Sequence, residues 1–577
     1  WWPAGEGTQK LYDLAVSWEN EDGSTAQTIE RRIGLRTLEL VTTPDRSPEG
    51  HRGESFYFRV NGRAIFARGA NWIPADQLVD RCTPAVYRHL LGSMVEAHMN
   101  MVRVWGGGWY EQDSFYDLCD ELGLLVWQDF MMACAIYPDT RDFVAELTAE
   151  ARYQVRRLAD HPSIALWCGD NENAKAIWQW WAKKPGHAKR VAIYQKTLGA
   201  LRTTCEAEDP SRRFWLSSPS NDEFGGEPDD ANRGDVHYWN VWHGGQPFSD
   251  YYNVKPRFCS EFGFQSFPEP RTLTAVVAPE DLNPSSRVME HHQRSGNGNV
   301  LITNTMAREM PIPKDFASFC FVSQINQAMA IRTAVEHWRR LKPWCMGAIY
   351  WQVNDLWPVA SWSSIDYHGR WKVLHHAAAR FFAPLLASIV HDQGALTVWV
   401  TSDHSAPVTV AGTLEVVTWS GQRIASVPLR ASLAAGASRA IATKDVDRLL
   451  AGKAQRHEVC CFVRLSGTSG GRHVAADNFC TLVPWKWVTV PDPGIRTALR
   501  SGRRGLELHV SAKRVAPFVH AEITGTEGHF AGDWQVLQPG RAYVLPWVPH
   551  ADRGQRELGL AEARRRLVVS SLADFTM

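Results

Sequence analysis

No apolar stretch of the chain reaches the roughly 18 uninterrupted residues that a membrane-spanning helix needs, so no membrane partner is expected. Nor is there a surplus of either charge: 62 Lys and Arg stand against 62 Asp and Glu, a formal net charge of zero. Such a chain lacks the broad basic field that holds polyanions, which excludes nucleic acid as an expected partner. Cysteine carries no metal signature either. The 11 residues, an odd number, are scattered without paired spacing, and Cys168, Cys259 and Cys345 lie in apolar runs where cysteine acts as a small buried hydrophobe. Most are expected to be free thiols. Low-complexity tracts and repeats shorter than a strand-helix unit are also missing. The chain opens on Trp1-Trp2-Pro3 rather than Met. From this, an upstream segment is expected, and the compartment stays open among periplasmic, secreted and lysosome-like.

Cofactor motifs are equally scarce. Gly106-Gly107-Gly108 is followed by no Lys-Ser/Thr and comes after the second strand of a repeating pattern, so a tight backbone turn is expected rather than a phosphate cradle. His291-His292 and His375-His376 are adjacent pairs, not the i, i+4 spacing of a helical metal site. Neither metal nor cofactor is expected.

What the chain does have is length and tryptophan. At 577 residues it exceeds what one hydrophobic core organises, so a large domain with satellites follows. Its 26 Trp, many beside Gly, Asn, Asp or Glu, suit a protein that handles sugars, because the C–H faces of a pyranose pack on flat aromatic rings while its hydroxyls demand hydrogen bonds.

Residues 11–40 alternate apolar and polar about a Glu21-Asp22-Gly23-Ser24 turn, which predicts hairpin strands of a β-sandwich. From about residue 56, short apolar runs alternate with helical stretches such as 84–97, 112–122, 141–159 and 321–341. The runs are Ile65–Trp72, Met101–Trp105, Leu124–Phe130, Ile164–Glu172, Phe214–Ser217, Val236–Trp239, Arg257–Phe262 and Met346–Gln352, eight candidate strands of a (β/α)8 TIM barrel. After Pro384 the helical period gives way to strand-like runs such as Val408–Thr418 and Val459–Leu465. The predicted architecture is multidomain: 1–48 as the C-terminal part of an immunoglobulin-like β-sandwich, 49–383 as the (β/α)8 barrel, 384–485 as an immunoglobulin-like β-sandwich, and 486–577 as a small β-sandwich.

Active sites of such barrels lie at the C-terminal ends of the strands. The fourth run ends in Gly169-Asp170-Asn171-Glu172-Asn173 and the seventh in Ser260-Glu261-Phe262-Gly263, so two glutamates converge on one barrel mouth. Two carboxyls there suit glycoside hydrolysis: one protonates the leaving oxygen, while the other attacks the anomeric carbon or activates water. Which of the two it does depends on their separation, and the sequence does not give that distance.

Taken jointly, several stretches resemble glycoside hydrolase family 2, and within it the β-mannosidase branch. They are Gly69-Ala70-Asn71-Trp72-Ile73-Pro74-Ala75-Asp76, Arg103-Val104-Trp105-Gly106-Gly107-Gly108, Asn171-Glu172-Asn173, Pro256-Arg257-Phe258-Cys259-Ser260-Glu261-Phe262-Gly263-Phe264-Gln265-Ser266 and Tyr350-Trp351-Gln352-Val353-Asn354-Asp355-Leu356-Trp357-Pro358. The resemblance implies a retaining exo-β-mannosidase acting on β-mannoside oligosaccharides or glycans, with Glu172 as acid/base and Glu261 as nucleophile. It implies Asn171 as donor to the sugar 2-hydroxyl and Trp351 as the platform under the sugar. Trp105, Tyr238 and His237 become candidate walls of the subsite, with Tyr238 set to bond the nucleophile, and Arg103 could hold Glu261 ionised. Asp170 stands where the branch usually carries Asn, a third carboxylate of open effect. The resemblance also implies a preceding sandwich domain that lends a loop to the sugar subsite. Exo-β-glucosaminidase, glycoprotein endo-β-mannosidase and a non-catalytic sugar-binding scaffold are the alternatives.

Overall fold

The structure, a computed structural model, describes residues 1–47, 50, 52–503, 505–550 and 558–577. The predicted boundary at 48/49 lies outside the described residues. Two compact units are formed: one from Trp1–Trp239, Asn253–Phe262 and Trp344–Val353, the other from Asn240–Tyr252, Gly263–Pro343 and Asn354–Met577.

The first unit carries all eight parallel barrel strands: Ala67–Trp72, Met101–Val104, Leu125–Asp129, Ile164–Cys168, Phe214–Trp215, Val236–His237, Cys259–Glu261 and Gly347–Tyr350. Ladder order runs from the fifth strand through the fourth, third, second and first to the eighth, seventh and sixth. Strands buried on both faces need uninterrupted apolar runs, and Leu125, Val126, Ile164, Ala165 and Leu166 are fully buried. Near the strand starts, Phe56 packs its ring 4.8 Å from Trp215 and 5.3 Å from Phe258. The fifth and sixth strands are two residues each, shorter than the predicted 214–217 and 236–239, and form no ladder with one another. Pro219 has no N–H with which to extend the fifth. Side chains span the gap instead: Trp215 Nε1 and Ser218 Oγ both donate to Asp235, at 2.9 and 2.6 Å.

Helices fill the connections where caps and periodicity agree. Pro84–Glu96 starts with Pro at its first position and Thr83 capping Val86 N, and Arg141–Leu158 starts with Thr140 capping Phe143 N. Ahead of the barrel, Tyr12–Glu19 pairs with Thr25–Ile33 as an antiparallel hairpin. Its alternate residues Tyr12, Leu14, Val16 and Trp18, with Ile29 opposite Val16, form an apolar row, and Trp18 is 74% exposed. Exposed apolar rows on strands associate. Self-association of the chain through this row is therefore expected, and replacing Val16 and Trp18 with Lys should weaken it by about tenfold or more, read by sedimentation equilibrium, where a monomer before substitution would overturn the expectation. An unchanged association constant assigns the contact elsewhere.

The second unit holds the helices Phe316–Arg340 and Val373–Phe381 and two sets of antiparallel sheets. One set joins 385–392, 395–402 and 438–445 with 408–418, 423–433, 459–469 and 472–481 around a core including Leu396, Val398, Val410, Leu414 and Val463. The other, within 495–570, encloses Leu508, Val510, Val519 and Phe530. Both are immunoglobulin-like, and with the barrel they make the predicted fold class. All 11 cysteines are free. Among the described residues no helix is long and apolar enough to cross a membrane.

Candidate active site

The fourth strand ends at Cys168, and the chain then turns through Asp170 and Asn171 to Glu172. Glu172 has φ 59° and ψ 10°, the left-handed region that costs a non-glycine residue on the order of 1 kcal/mol or more. Backbone bonds hold it there: Asn171 N donates to Met132 O (2.9 Å), Glu172 N to Ser218 O (2.8 Å), and Cys134 N to Asn171 O (2.9 Å). Glu261 closes the seventh strand, and its carbonyl accepts from Tyr238 N at 2.8 Å. Both carboxyls are buried, at 8% and 5% exposure.

Arg103, on the second strand, is the hub between strand ends. Its Nη1 donates to Glu261 Oε2 at 2.9 Å and to Asn71 Oδ1 at 2.8 Å, and its Nη2 donates to Asp129 Oδ2 at 2.8 Å and Asn171 Oδ1 at 2.7 Å. Burial works against its charge, but Asp129 and Glu261 outweigh burial and hold the guanidinium protonated. Arginine has no acceptor atom, so the contact at Asn171 fixes the amide with its oxygen toward Arg103. The Asn171 NH2 group is thereby turned the other way, where Nδ2 meets Cys134 Sγ at 3.5 Å.

His237, ending the sixth strand, lies between the two glutamates. Its Nδ1 is 2.9 Å from Glu172 Oε1 and 3.5 Å from Glu261 Oε2, and its Nε2 is 2.9 Å from Ser218 Oγ. Burial pushes the imidazole down to about 3, with Glu261 pulling upward and Arg103 and Lys175 downward, so the ring is neutral across the ordinary pH range. Burial also raises the Glu261 carboxyl above its usual range, and the Arg103 cation opposes the rise. Lys175 Nζ pairs with Asp229 at 2.8 Å and stands 4.0 Å from Glu172 Oε1. One atom each of Glu172, His237 and Glu261 lie within 4.8 Å of one another, a spacing that could hold a metal ion. The permanent Arg103 cation 2.9 Å from Glu261 opposes a second cation there.

Trp105 and Trp351 meet edge to face, with ring centroids 5.1 Å apart and planes at 74°. Both are partly exposed. A Cβ on Gly107 would fall 2.0 Å from the Trp105 ring, so glycine there lets the indole fold back over the turn. Tyr238 is half-buried beside Glu261, joined to it through the main chain. Asp170 turns away from the pair: its carboxylate accepts from Ser217 Oγ at 2.6 Å, Tyr194 OH at 3.0 Å and Asn173 N at 3.0 Å, and burial raises it to about 7.

Sequence reasoning did not single out Asn71, Asp129, Cys134, Lys175, Ser218 or Asp235. Asn71 and Asp129 sit at the ends of the first and third strands, where strand-end polar residues could have been flagged. Cys134, whose Sγ is 3.6 Å from Glu172 Oε2, gave no signal at all.

Two family descriptions match the C-terminal part of the chain: a mannosidase Ig/CBM-like domain over residues 394–486 and an Ig-fold domain over 490–575. Along its whole length the chain is 35% identical to the goat (Capra hircus) β-mannosidase, spanning 67% of that protein. It is 37% identical to β-mannosidase B of Aspergillus flavus over 67% of this chain and 47% of the relative. Among solved structures, β-D-mannosidase from Dictyoglomus thermophilum superposes with a TM-score of 0.88 at 32% identity, over 99% of this chain and 67% of the other. An exo-chitosanase from Amycolatopsis orientalis, 18% identical with a TM-score of 0.75 over 99% of this chain and 69% of the other, shares the fold.

Proposed function

The chain belongs to the β-mannosidase branch of glycoside hydrolase family 2, and from that premise we propose that it is an exo-β-mannosidase releasing terminal β-D-mannose with retention of configuration. One observation supports the stereochemistry: the facing oxygens of Glu172 and Glu261 lie within 4.8 Å of each other, a close approach that suits the shorter of the two carboxyl separations known for glycosidases. Carboxyls about 5–5.5 Å apart leave no room for a water between acid and sugar, whereas inversion needs roughly 6.5–9.5 Å.

In this reading Glu261, held by Arg103, attacks the anomeric carbon. The bond to the leaving oxygen breaks as Glu172 gives that oxygen its proton, leaving mannose esterified to Glu261. Glu172, now a carboxylate, takes a proton from water as the water attacks the same carbon. β-Mannose departs and Glu261 is freed. Asn171, its amide oxygen anchored by Arg103, presents its NH2 group to the sugar 2-hydroxyl. Trp351 and Trp105 support and wall the ring, and Tyr238 lines the nucleophile's side.

Proton NMR of the first turnovers on 4-nitrophenyl β-mannoside is the test: β-mannose should appear before mutarotation supplies the α-anomer. α-Mannose appearing first would mean inversion. A matched set of aryl β-glucosaminide and β-glucoside separates the related specificities, and no release from any of them would leave a sugar-binding scaffold.

A further inference from the structure

Behind the two glutamates lies a buried chain of polar groups that the double displacement does not itself use. Asp235 is fully buried and receives four donors: Trp215 Nε1 at 2.9 Å and Ser220 N at 3.0 Å on one oxygen, Ser218 Oγ at 2.6 Å and Ser260 Oγ at 2.5 Å on the other. Burial raises the Asp235 carboxyl, while the Ser218, Ser260 and Trp215 contacts and the Arg103 cation oppose that rise; donors on both oxygens favour the carboxylate, which has no hydrogen of its own to give. The proton in the short Ser218 to Asp235 contact must therefore come from Ser218, whose single hydrogen is then spent. Ser218 Oγ also lies 2.9 Å from His237 Nε2, and that second contact can be a hydrogen bond only if Nε2 carries the hydrogen. The ring is neutral, so Nδ1 is bare. Yet Nδ1 is 2.9 Å from Glu172 Oε1. Two bare acceptors repel at that distance, and a proton on Glu172 turns the contact into a hydrogen bond.

We propose that Asp235, acting through Ser218, locks His237 in its Nε2–H tautomer and thereby keeps Glu172 protonated and ready to act as the acid. The proposal rests on the reading of Glu172 as acid/base and makes Asp235 and Ser218 positioning residues for it. The bare nitrogen favours the neutral carboxyl and gives nothing to its anion, so Glu172 is biased toward its acid form before each turnover and toward recapturing a proton from water afterwards. Other groups face the same carboxyl. The Lys175 cation at 4.0 Å favours the anion but is shared with Asp229, the Cys134 thiol points at Oε2 from 3.6 Å, and Glu261 is also near. His237 in turn is faced by Glu261, Arg103, Lys175 and Asp229. Among these neighbours His237 makes the closest contact with Glu172, so its tautomer is an effective control.

The test begins with the unaltered protein labelled with 15N-histidine, with His237 assigned by difference against His237→Gln. Nδ1 should resonate as a bare ring nitrogen and Nε2 as a protonated one; the reverse pattern overturns the proposal. Asp235→Asn keeps the shape but supplies an amide donor to Ser218, whose hydrogen then turns to Nε2 and forces the Nδ1–H tautomer, the wrong one for binding the Glu172 proton. In that variant the 15N pattern should reverse, and the alkaline limb of kcat/KM should move down by about one pH unit. Activity on mannobiose above that limb should then fall about tenfold or more. On 2,4-dinitrophenyl β-mannoside, whose leaving group needs no acid, the loss should stay within about threefold. Equal losses on both substrates with the tautomer unchanged would overturn the relay and leave a merely structural role. Ser218→Ala, which removes the link and lets both tautomers populate, should move the limb the same way by a smaller amount; a fixed limb and tautomer count against the relay. Absence of β-mannosidase activity in the unaltered protein would strike the functional reading instead, while the tautomer measurement still decides the relay.

Discussion

Glu261→Ala is expected to lower kcat on 4-nitrophenyl β-mannoside by about 10⁴-fold or more, and azide is expected to restore part of the rate while yielding α-mannosyl azide. The side chain that attacks the α-face would be gone, leaving a cavity lined by Arg103, whose guanidinium stands 2.9 Å from the missing Oε2. A small anion held by that cation can attack the anomeric carbon from the vacated side, with Glu172 still present to protonate the leaving oxygen, and a single displacement inverts the centre. The fold should survive the change. Arg103 keeps Asp129 at 2.8 Å and its two asparagine partners, so no buried guanidinium is left unpaired. In Glu172→Ala, azide should instead attack the mannosyl-Glu261 ester and give the β-product. An α-product from Glu172→Ala, with no rescue of Glu261→Ala, would exchange the two roles.

That both glutamates reach one mouth could be read from the sequence because each follows directly on an apolar run, and parallel barrel strands deliver all their C-terminal ends to one face. Helix starts were legible where a cap announces them, as at Thr83 and Thr140. The helix Phe316–Arg340 begins five residues ahead of the predicted 321 because Asp315 caps it, accepting from Ser318 N at 2.7 Å, and Phe316, Phe319 and Cys320 carry the apolar i, i+3, i+4 spacing back into the first turn. The 22-residue helix His187–Glu208 is hard to read in the sequence: its buried residues Tyr194, Leu198, Leu201 and Cys205 do share a face, but Ala, Thr and Gly199 between them blur the stripe.

Ser218 and Asp235 were illegible for a different reason. A serine before proline and an aspartate before a two-residue strand look like ordinary loop residues, and their significance comes from a three-dimensional accident of pairing. The fifth and sixth strands form no ladder with each other, so polar side chains occupy the space where backbone hydrogen bonds would have run. Periodicity reports which residues face a core. It does not report where a barrel fails to close.

Glu172→Gln is expected to separate substrates by leaving group: kcat/KM for mannobiose should fall about 10³-fold or more, and for 2,4-dinitrophenyl β-mannoside by less than about tenfold. A sugar alkoxide leaves only if it is protonated as the bond breaks, and the glutamine amide has no proton to give at any accessible pH. Dinitrophenolate leaves as the anion, so its first step asks only for the nucleophile. The pH dependence follows from the same division. In the unaltered protein activity should be lost as pH rises, if Glu172 is the acid that must be protonated, and as pH falls, if Glu261 is the nucleophile that must be ionised. Burial lifts Glu261 above its usual range, so the acid limb should lie above the pH at which an ordinary glutamate titrates. In Glu172→Gln assayed on the dinitrophenyl substrate, the alkaline limb should vanish while the acid limb stays, because glutamine cannot titrate and Glu261 still does. Glutamine matches the neutral, protonated form of Glu172 in charge, so the field on Glu261 in the active state is little altered. A persisting alkaline limb in that variant would assign it to another group, with Lys175 and the Cys134 thiol, which stand 4.0 and 3.6 Å from the Glu172 carboxyl, next in line.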